Sequence, residues 1–98
     1  MDDLIEVKWT ERSLSNAQDI KEYIRVKFTK KEVRKFENLL KQFETTVSNF
    51  PTLYPESENQ KPLRRAVIHK HTTVYYIFKE NAVTVIAMKD NRKLKPKG

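Results

Sequence analysis

The chain has 98 residues, with 20 Lys or Arg against 13 Asp or Glu, a formal net charge of +7 and no cysteine. At this length it reads as one domain, residues 1–98, with a thin core, and without thiols it has neither a disulfide framework nor a thiolate metal site. The sole glycine is Gly98, which excludes P-loop and dinucleotide-binding loops, because both need backbone that only glycine supplies. His69 and His71 are the only histidines, and two histidines without clustered carboxylates make a poor metal site, so neither a metal nor a small-molecule cofactor is expected. The N-terminus lacks the pattern of a secretory signal and no stretch approaches the roughly 20 apolar residues of a membrane span. A soluble, cytoplasmic protein is the expectation.

Leu4–Trp9 alternates over its second half and predicts a short strand with Ile5, Val7 and Trp9 on one face. Thr10 offers a helix N-cap. Leu14, Ala17, Ile20, Ile24 and Phe28 then recur at steps of three and four, which predicts an amphipathic helix over about 11–27. Thr29-Lys30-Lys31-Glu32 matches the capping box, and Val33, Phe36, Leu39, Leu40, Phe43, Val47 and Phe50 carry an apolar stripe up to Pro51. The residue before a proline resists helical geometry, so the second helix stops there, and the two form an antiparallel hairpin.

Three prolines between Pro51 and Pro62 mark an irregular loop. Three β-rich runs follow, Leu63–Lys70, Thr72–Lys79 and Ala82–Lys89, with connections short enough for hairpins. Asn81 takes the left-handed conformation of a tight turn in the absence of glycine. Val74–Phe78 is apolar or aromatic on both faces, the mark of a central strand. The order β-α-α-β-β-β predicts an α+β domain in which a helical hairpin covers one face of an antiparallel sheet and leaves the other bare.

The charge is localised on that sheet. From Lys61 to Gly98 there are ten Lys or Arg against two acids, Glu80 and Asp90, a net +8, while the first sixty residues carry ten basic and eleven acidic side chains, a net −1. Cations on a sheet that also bears tyrosines fit a polyanionic partner, since neutralised phosphates release condensed counterions. No Ser-His-Asp arrangement and no paired carboxylates stand at recognisable spacing. Lys61, Arg64 and Arg65 cluster at the start of the second strand, and Lys89 and Arg92 follow the last. Guanidinium groups gathered this way can hold a scissile phosphate, with His69, His71, Tyr75 or Tyr76 as candidates to move the 2′-hydroxyl proton of RNA. Strand alternation puts Arg65 with Val67 and His69 on the outward face, and Arg64 with Ala66 and Ile68 on the other.

Trp9-Thr10, Asp19-Ile20, Tyr23-Ile24, Leu63-Arg64, Val74-Tyr75-Tyr76-Ile77 and Asp90-Asn91-Arg92, in this order and over nearly the whole chain, resemble the RelE/ParE superfamily of bacterial toxins from type II toxin–antitoxin systems. The resemblance implies a small basic toxin neutralised by an acidic, partly disordered antitoxin. Members resembling RelE are mRNA interferases that cause growth arrest by cutting messages on the ribosome with sheet-borne cations and a Tyr or His near the C-terminus. On that model Arg65, Arg92, Arg64 and Lys89 are the catalytic candidates, and Lys61, Lys93 and Lys95 the RNA-binding ones. No Tyr or His follows Met88, however, and Lys93–Gly98 stands where some relatives have a helix. Members resembling ParE instead poison DNA gyrase without that catalytic set. Ribosome-dependent mRNA cleavage is the leading expectation, on the charge of the sheet. Gyrase inhibition, or a non-toxic binding role, is the alternative.

Overall fold

Thr10 and Thr29 start the two helices that the spacing predicts. The structure, a computed structural model, describes residues 5–94, so Leu4 and Lys95 lie outside the described residues. Strand β1 (Glu6–Trp9) leads through Thr10 into α1 (Glu11–Lys27), and the Thr10 hydroxyl accepts the Ser13 N–H at 3.1 Å. Helix α2 (Lys30–Asn49) begins with the Thr29 hydroxyl accepting the Glu32 N–H at 3.4 Å. The Glu32 carboxylate pairs with Lys35 at 3.7 Å.

Strands β2 (Arg64–His69), β3 (Thr72–Lys79) and β4 (Ala82–Asp90) follow, and a single helical turn, α3 (Asn91–Leu94), succeeds β4. The sheet order is β1-β4-β3-β2. β2, β3 and β4 are antiparallel as expected; β1 runs parallel to β4, with Val7 beside Val83 and Trp9 beside Val85. The sheet is therefore mixed.

Both helices pack on one face, against Val74, Tyr76, Val83, Val85 and Met88, to which α1 contributes Ile20 and Ile24 and α2 contributes Phe36, Phe43 and Val47. Tyr76 is fully buried, meets Phe43 edge-on at 5.7 Å and Tyr54 at 6.3 Å, and donates its hydroxyl to the Pro51 carbonyl at 2.8 Å. Trp9 anchors the other side of the core, its indole N–H donating to Glu44 at 2.6 Å. These tyrosine and tryptophan hydrogen bonds satisfy the polar ends of side chains whose rings are packed inside.

Two bulges interrupt the sheet. Ile68 is the extra residue between the Val67–Thr73 and His69–Thr72 pairs, and Ile86 the extra one between Tyr76–Val85 and Tyr75–Ala87. Each reverses the side-chain phase of everything beyond it. The Ile68 bulge turns His69 to the helix face beside buried Thr72, which corrects the expectation that it shares the outward face with Arg65.

Lys79 pairs with Ala82 across a two-residue turn in which Glu80 (φ 52°) and Asn81 (φ 61°) are both left-handed. Asn81 meets its expectation, and Glu80 adopts the same geometry because two-residue hairpin turns of this type require positive φ at both central positions. Glutamate tolerates it poorly. Replacing Glu80 with Gly is expected to stabilise the protein by about 1 kcal/mol, read as a rise in the urea midpoint with an unchanged slope; a fall would show that the Glu80 side chain, not its backbone, decides the turn.

Candidate functional site

The helix hairpin leaves the opposite sheet face open, and the register fixes which side chains stand on it. Arg65 and Val67 from β2, Thr73, Tyr75, Ile77 and Lys79 from β3, Thr84, Ala87 and Lys89 from β4, and Glu6 and Lys8 from β1 pair along this side. Lys8, Arg65, Lys79 and Lys89 are exposed, and none makes an ion pair among the described residues. Tyr75 and Tyr76, adjacent in sequence, divide between the faces: Tyr76 belongs to the core and Tyr75 to the open side. The Lys89 ammonium lies over the Tyr75 ring, 5.7 Å from its centroid. Burial pushes the Tyr76 phenol up, against the opposing charge of Arg64, so it stays protonated.

Two of the four cations singled out by sequence are committed elsewhere. Arg64 is largely buried; it donates to the Tyr54 carbonyl at 2.7 Å and faces Glu56 at 3.7 Å, pinning the 51–63 loop to the start of β2. The Arg65 N–H donates to the Pro55 carbonyl at 3.3 Å along the same seam. Arg92 folds back onto buried Asp90, donating through Nε to Oδ1 at 3.0 Å and through a terminal nitrogen to Oδ2 at 2.8 Å, while Thr72 donates its hydroxyl to Oδ2 at 2.9 Å. Its guanidinium lies 5.7 Å from the centre of the Phe28 ring, on the helix side of the sheet. Arg65 and Arg92 are thus on opposite faces, and the structure does not bring them together as a phosphate-holding pair. Arg65 and Lys89 do share a face. Lys61 is exposed in the loop before β2, and Lys93 lies in α3.

His69 accepts the His71 N–H at Nδ1 (3.2 Å), and the two rings are 5.3 Å apart. Burial, followed by the nearby charges of His71, Arg92 and Lys70, holds His69 below its ordinary value, with Asp90 acting in the opposite sense. A neutral ring with one nitrogen occupied and facing the helices is badly placed as a base for a substrate on the open face.

β1 ends at Trp9, opposite Val85, so among the described residues β4 beyond that point has no strand on its outer side. Helix α1 takes over. The Thr10 N–H donates to the Val85 carbonyl at 3.1 Å, the Thr10 hydroxyl to the Ile86 carbonyl at 3.2 Å, and the Met88 N–H donates to Asn16 Oδ1 at 3.0 Å. A cleft of about 470 Å³ opens along this seam, with Arg12, Asn16 and Asp19 on the α1 side and Tyr75, Ile86 and Lys89 on the sheet side. Residues 12, 16 and 19 form a polar stripe at helical spacing beside the apolar one. Their contribution is missed from sequence because an exposed polar helix stripe is ordinarily only solvated. Among the described residues, no group of three or more His, Cys, Asp or Glu is placed to hold a metal ion, and no helix is long and apolar enough to cross a membrane.

The model of a family described as "ParE toxin of type II toxin-antitoxin system, parDE" matches residues 7–94. Among solved structures, the chain is similar to one of the chromosomal ParDE toxin–antitoxin system from P. aeruginosa, with TM-score 0.74 and 9% identity over 89% of this chain and 96% of that one. It is also similar to the E. coli DinJ-YafQ toxin–antitoxin complex, with TM-score 0.65 and 13% identity over 96% and 100%. The solution structure of a conserved hypothetical protein from Helicobacter pylori matches with TM-score 0.59 and 12% identity over 93% and 99%. At these identities the likeness concerns the fold. No curated protein matches in sequence.

The Asp90 clamp yields a pH dependence. Burial alone would raise the Asp90 carboxyl, but the hydrogen bonds from Arg92 and Thr72 and the Arg92 charge outweigh it and hold the group below its ordinary value. A depressed folded value means that the clamp's stabilisation is fully present above the unfolded carboxyl value, about pH 4, and is lost as pH falls through the folded one. Asp90→Asn is expected to cost about 3 kcal/mol at pH 7, because it strands Arg92 and Thr72, and to lose less stability on acidification than the parent. Urea midpoints at pH 7 and below pH 4 check both; an equal acid loss in the two proteins would remove Asp90 as the group responsible.

Proposed function

The chain belongs to the ParE toxin family of type II toxin–antitoxin systems, and on that premise we propose that this toxin acts by binding its target rather than by cutting it. The observation that carries the reading is the separation of the cations. Cleaving a phosphodiester needs positive groups converging within hydrogen-bond reach of one phosphate, and of the four candidate cations Arg92 and Arg64 are tied into ion pairs, which leaves only Arg65 and Lys89 on the open face. A non-catalytic poison needs no such convergence. DNA gyrase is the target that resemblance to ParE implies, and the open face, with Lys8, Arg65, Lys79 and Lys89, is the surface we assign to it.

The partner that silences the toxin is an antitoxin with an acidic segment. The +7 charge of the chain supports this, as do the solved relatives, which include toxin–antitoxin complexes. A second reading, ribosome-dependent mRNA cleavage, is favoured by one observation, the grouping of Tyr75, Lys89 and Arg65 on one exposed surface.

Brief induction in the absence of antitoxin separates the two. The binding reading expects intact transcripts, and expects linear plasmid to accumulate when the purified toxin is added to gyrase, ATP and supercoiled DNA. Codon-linked 5′ ends with undamaged DNA would overturn it in favour of cleavage. Arg65→Glu combined with Lys89→Glu is expected to abolish growth arrest while leaving antitoxin binding intact, measured by colony counts and by co-purification. Arrest that survives the double reversal would remove the open face from the function.

A further inference from the structure

The cleft between α1 and the bulged end of β4 shares Tyr75 and Lys89 with the open face, but its α1 groups, Arg12, Asn16 and Asp19, are left unused by target binding on that face. Its volume, about 470 Å³, lies in the range of sites for small organic ligands. Its polar lining comprises Arg12, Asn16, Asp19, Gln60, Lys89 and Asp90, and the Asp90 oxygens are already taken by Arg92 and Thr72. Asp19 brings a carboxylate that makes no ion pair or side-chain hydrogen bond among the described residues. Asn16, one helical turn before it, has its Oδ1 committed to the Met88 N–H at 3.0 Å, so its amide nitrogen remains to donate. Arg12 and Lys89 bring positive charge from the α1 side and the sheet side. Tyr75 and Ile86 supply aromatic and apolar wall.

This set matches one nucleobase better than the others. The pairing edge of guanine offers two N–H donors, at N1 and N2, beside the O6 acceptor. A carboxylate accepts both donors in a charge-assisted bidentate contact, and an adjacent amide N–H can meet O6. Adenine would turn the lone pair of its N1 toward the same carboxylate, and cytosine has a single amino group to offer it. The two cations of the lining suit the phosphate of a bound nucleotide. Reading an unpaired base along its pairing edge, against an aromatic or apolar wall, is a general mode of nucleotide recognition.

We propose that this cleft binds a guanine nucleotide, with Asp19 accepting from N1 and N2, Asn16 donating to O6, and Arg12 and Lys89 holding phosphate. The ligand chemistry is the same whether the guanine is a free nucleotide or an unpaired residue of a strand, and the site does not depend on whether gyrase or mRNA is the toxin's target.

Calorimetric titration of the purified protein with GMP and AMP, and with DNA and RNA hexamers carrying one guanine or one adenine among pyrimidines, tests the assignment. The guanine forms are expected to bind at least about tenfold more tightly than their adenine counterparts. Asp19→Asn is expected to erase that ratio, because an amide offers one acceptor in place of two, and Lys89→Glu to weaken guanine and adenine forms alike. Asp19 is exposed, so an unchanged melting temperature verifies that its variant is folded. Hexamers binding more tightly than GMP would identify a strand as the source, and equal binding the free nucleotide. Equal affinity for guanine and adenine, a preference that survives Asp19→Asn, or no binding of any probe would overturn the proposal.

Discussion

The parallel pairing of β1 with β4 governs how this chain is laid out. A tight turn can reverse a strand, but the first strand here lies beside the last, and the next strand in sequence, β2, forms the opposite edge. The chain must therefore cross the width of the sheet between β1 and β2. It does so through α1, α2 and the 51–63 loop, and both helices come down on the same side. All the large apolar groups of α1 and α2 that reach the core meet the face that carries Val74, Tyr76, Val83 and Val85. Among the described residues, no helix is left to cover the opposite face. Its exposed cations follow from this topology, because Lys and Arg heads are rarely tolerated on a covered face unless they are paired.

Pairing is what separates the cations by role. Asp90 is almost wholly buried, and its charge persists there only because Arg92 and Thr72 satisfy both oxygens. Removing one member of such a pair costs more than the pair contributes, so Arg92 is held by the needs of Asp90. The result is mechanical as well: the backbone after β4 is fixed by the Arg92 N–H donating to Asp90 Oδ1 at 3.0 Å. Arg64 has the matching task at the start of β2, where it holds the long loop through Tyr54 and Glu56. Both guanidinium groups look from sequence like ligands for a phosphate. In the folded chain they are ligands for the protein.

Much of the fold is legible in the sequence because its signals are local. Thr10 and Thr29 announce helix starts, the three-and-four spacing from Leu14 to Phe28 fixes the buried face of α1, and Thr72–Lys79 and the Asn81 turn follow from β-branched and aromatic runs. Even the division between the two helices is written in a hydroxyl and its i+3 amide. Non-local pairing is less visible. Nothing in Leu4–Trp9 states that this strand will lie parallel to a strand seventy-six residues further on, and a +8 segment reads as one surface until ion pairs divide it. The polar stripe Arg12, Asn16, Asp19 is equally silent, since it acquires meaning only when α1 lies along the open edge of β4.

The two bulges show most plainly why the site could not be assigned from alternation. With a strict period of two, Val83, Val85, Ala87 and Lys89 would all point the same way, which would drive the Lys89 ammonium into the helix face and put Asp90 outside. Ile86 is inserted between the pairs Tyr76–Val85 and Tyr75–Ala87, and the phase reverses. Met88 and Asp90 turn inward to Val74 and Thr72, and Lys89 comes out over Tyr75. No glycine marks the place. What permits the bulge is the end of β1 at Trp9: from there the β4 backbone has no strand partner on one side among the described residues, and Thr10 can donate and Asn16 accept in the irregular geometry that a neighbouring strand would forbid. One inserted isoleucine thus buries the carboxylate that claims Arg92 and exposes the lysine that closes the α1 cleft. The clamp and the open-face site are therefore two consequences of where β1 stops.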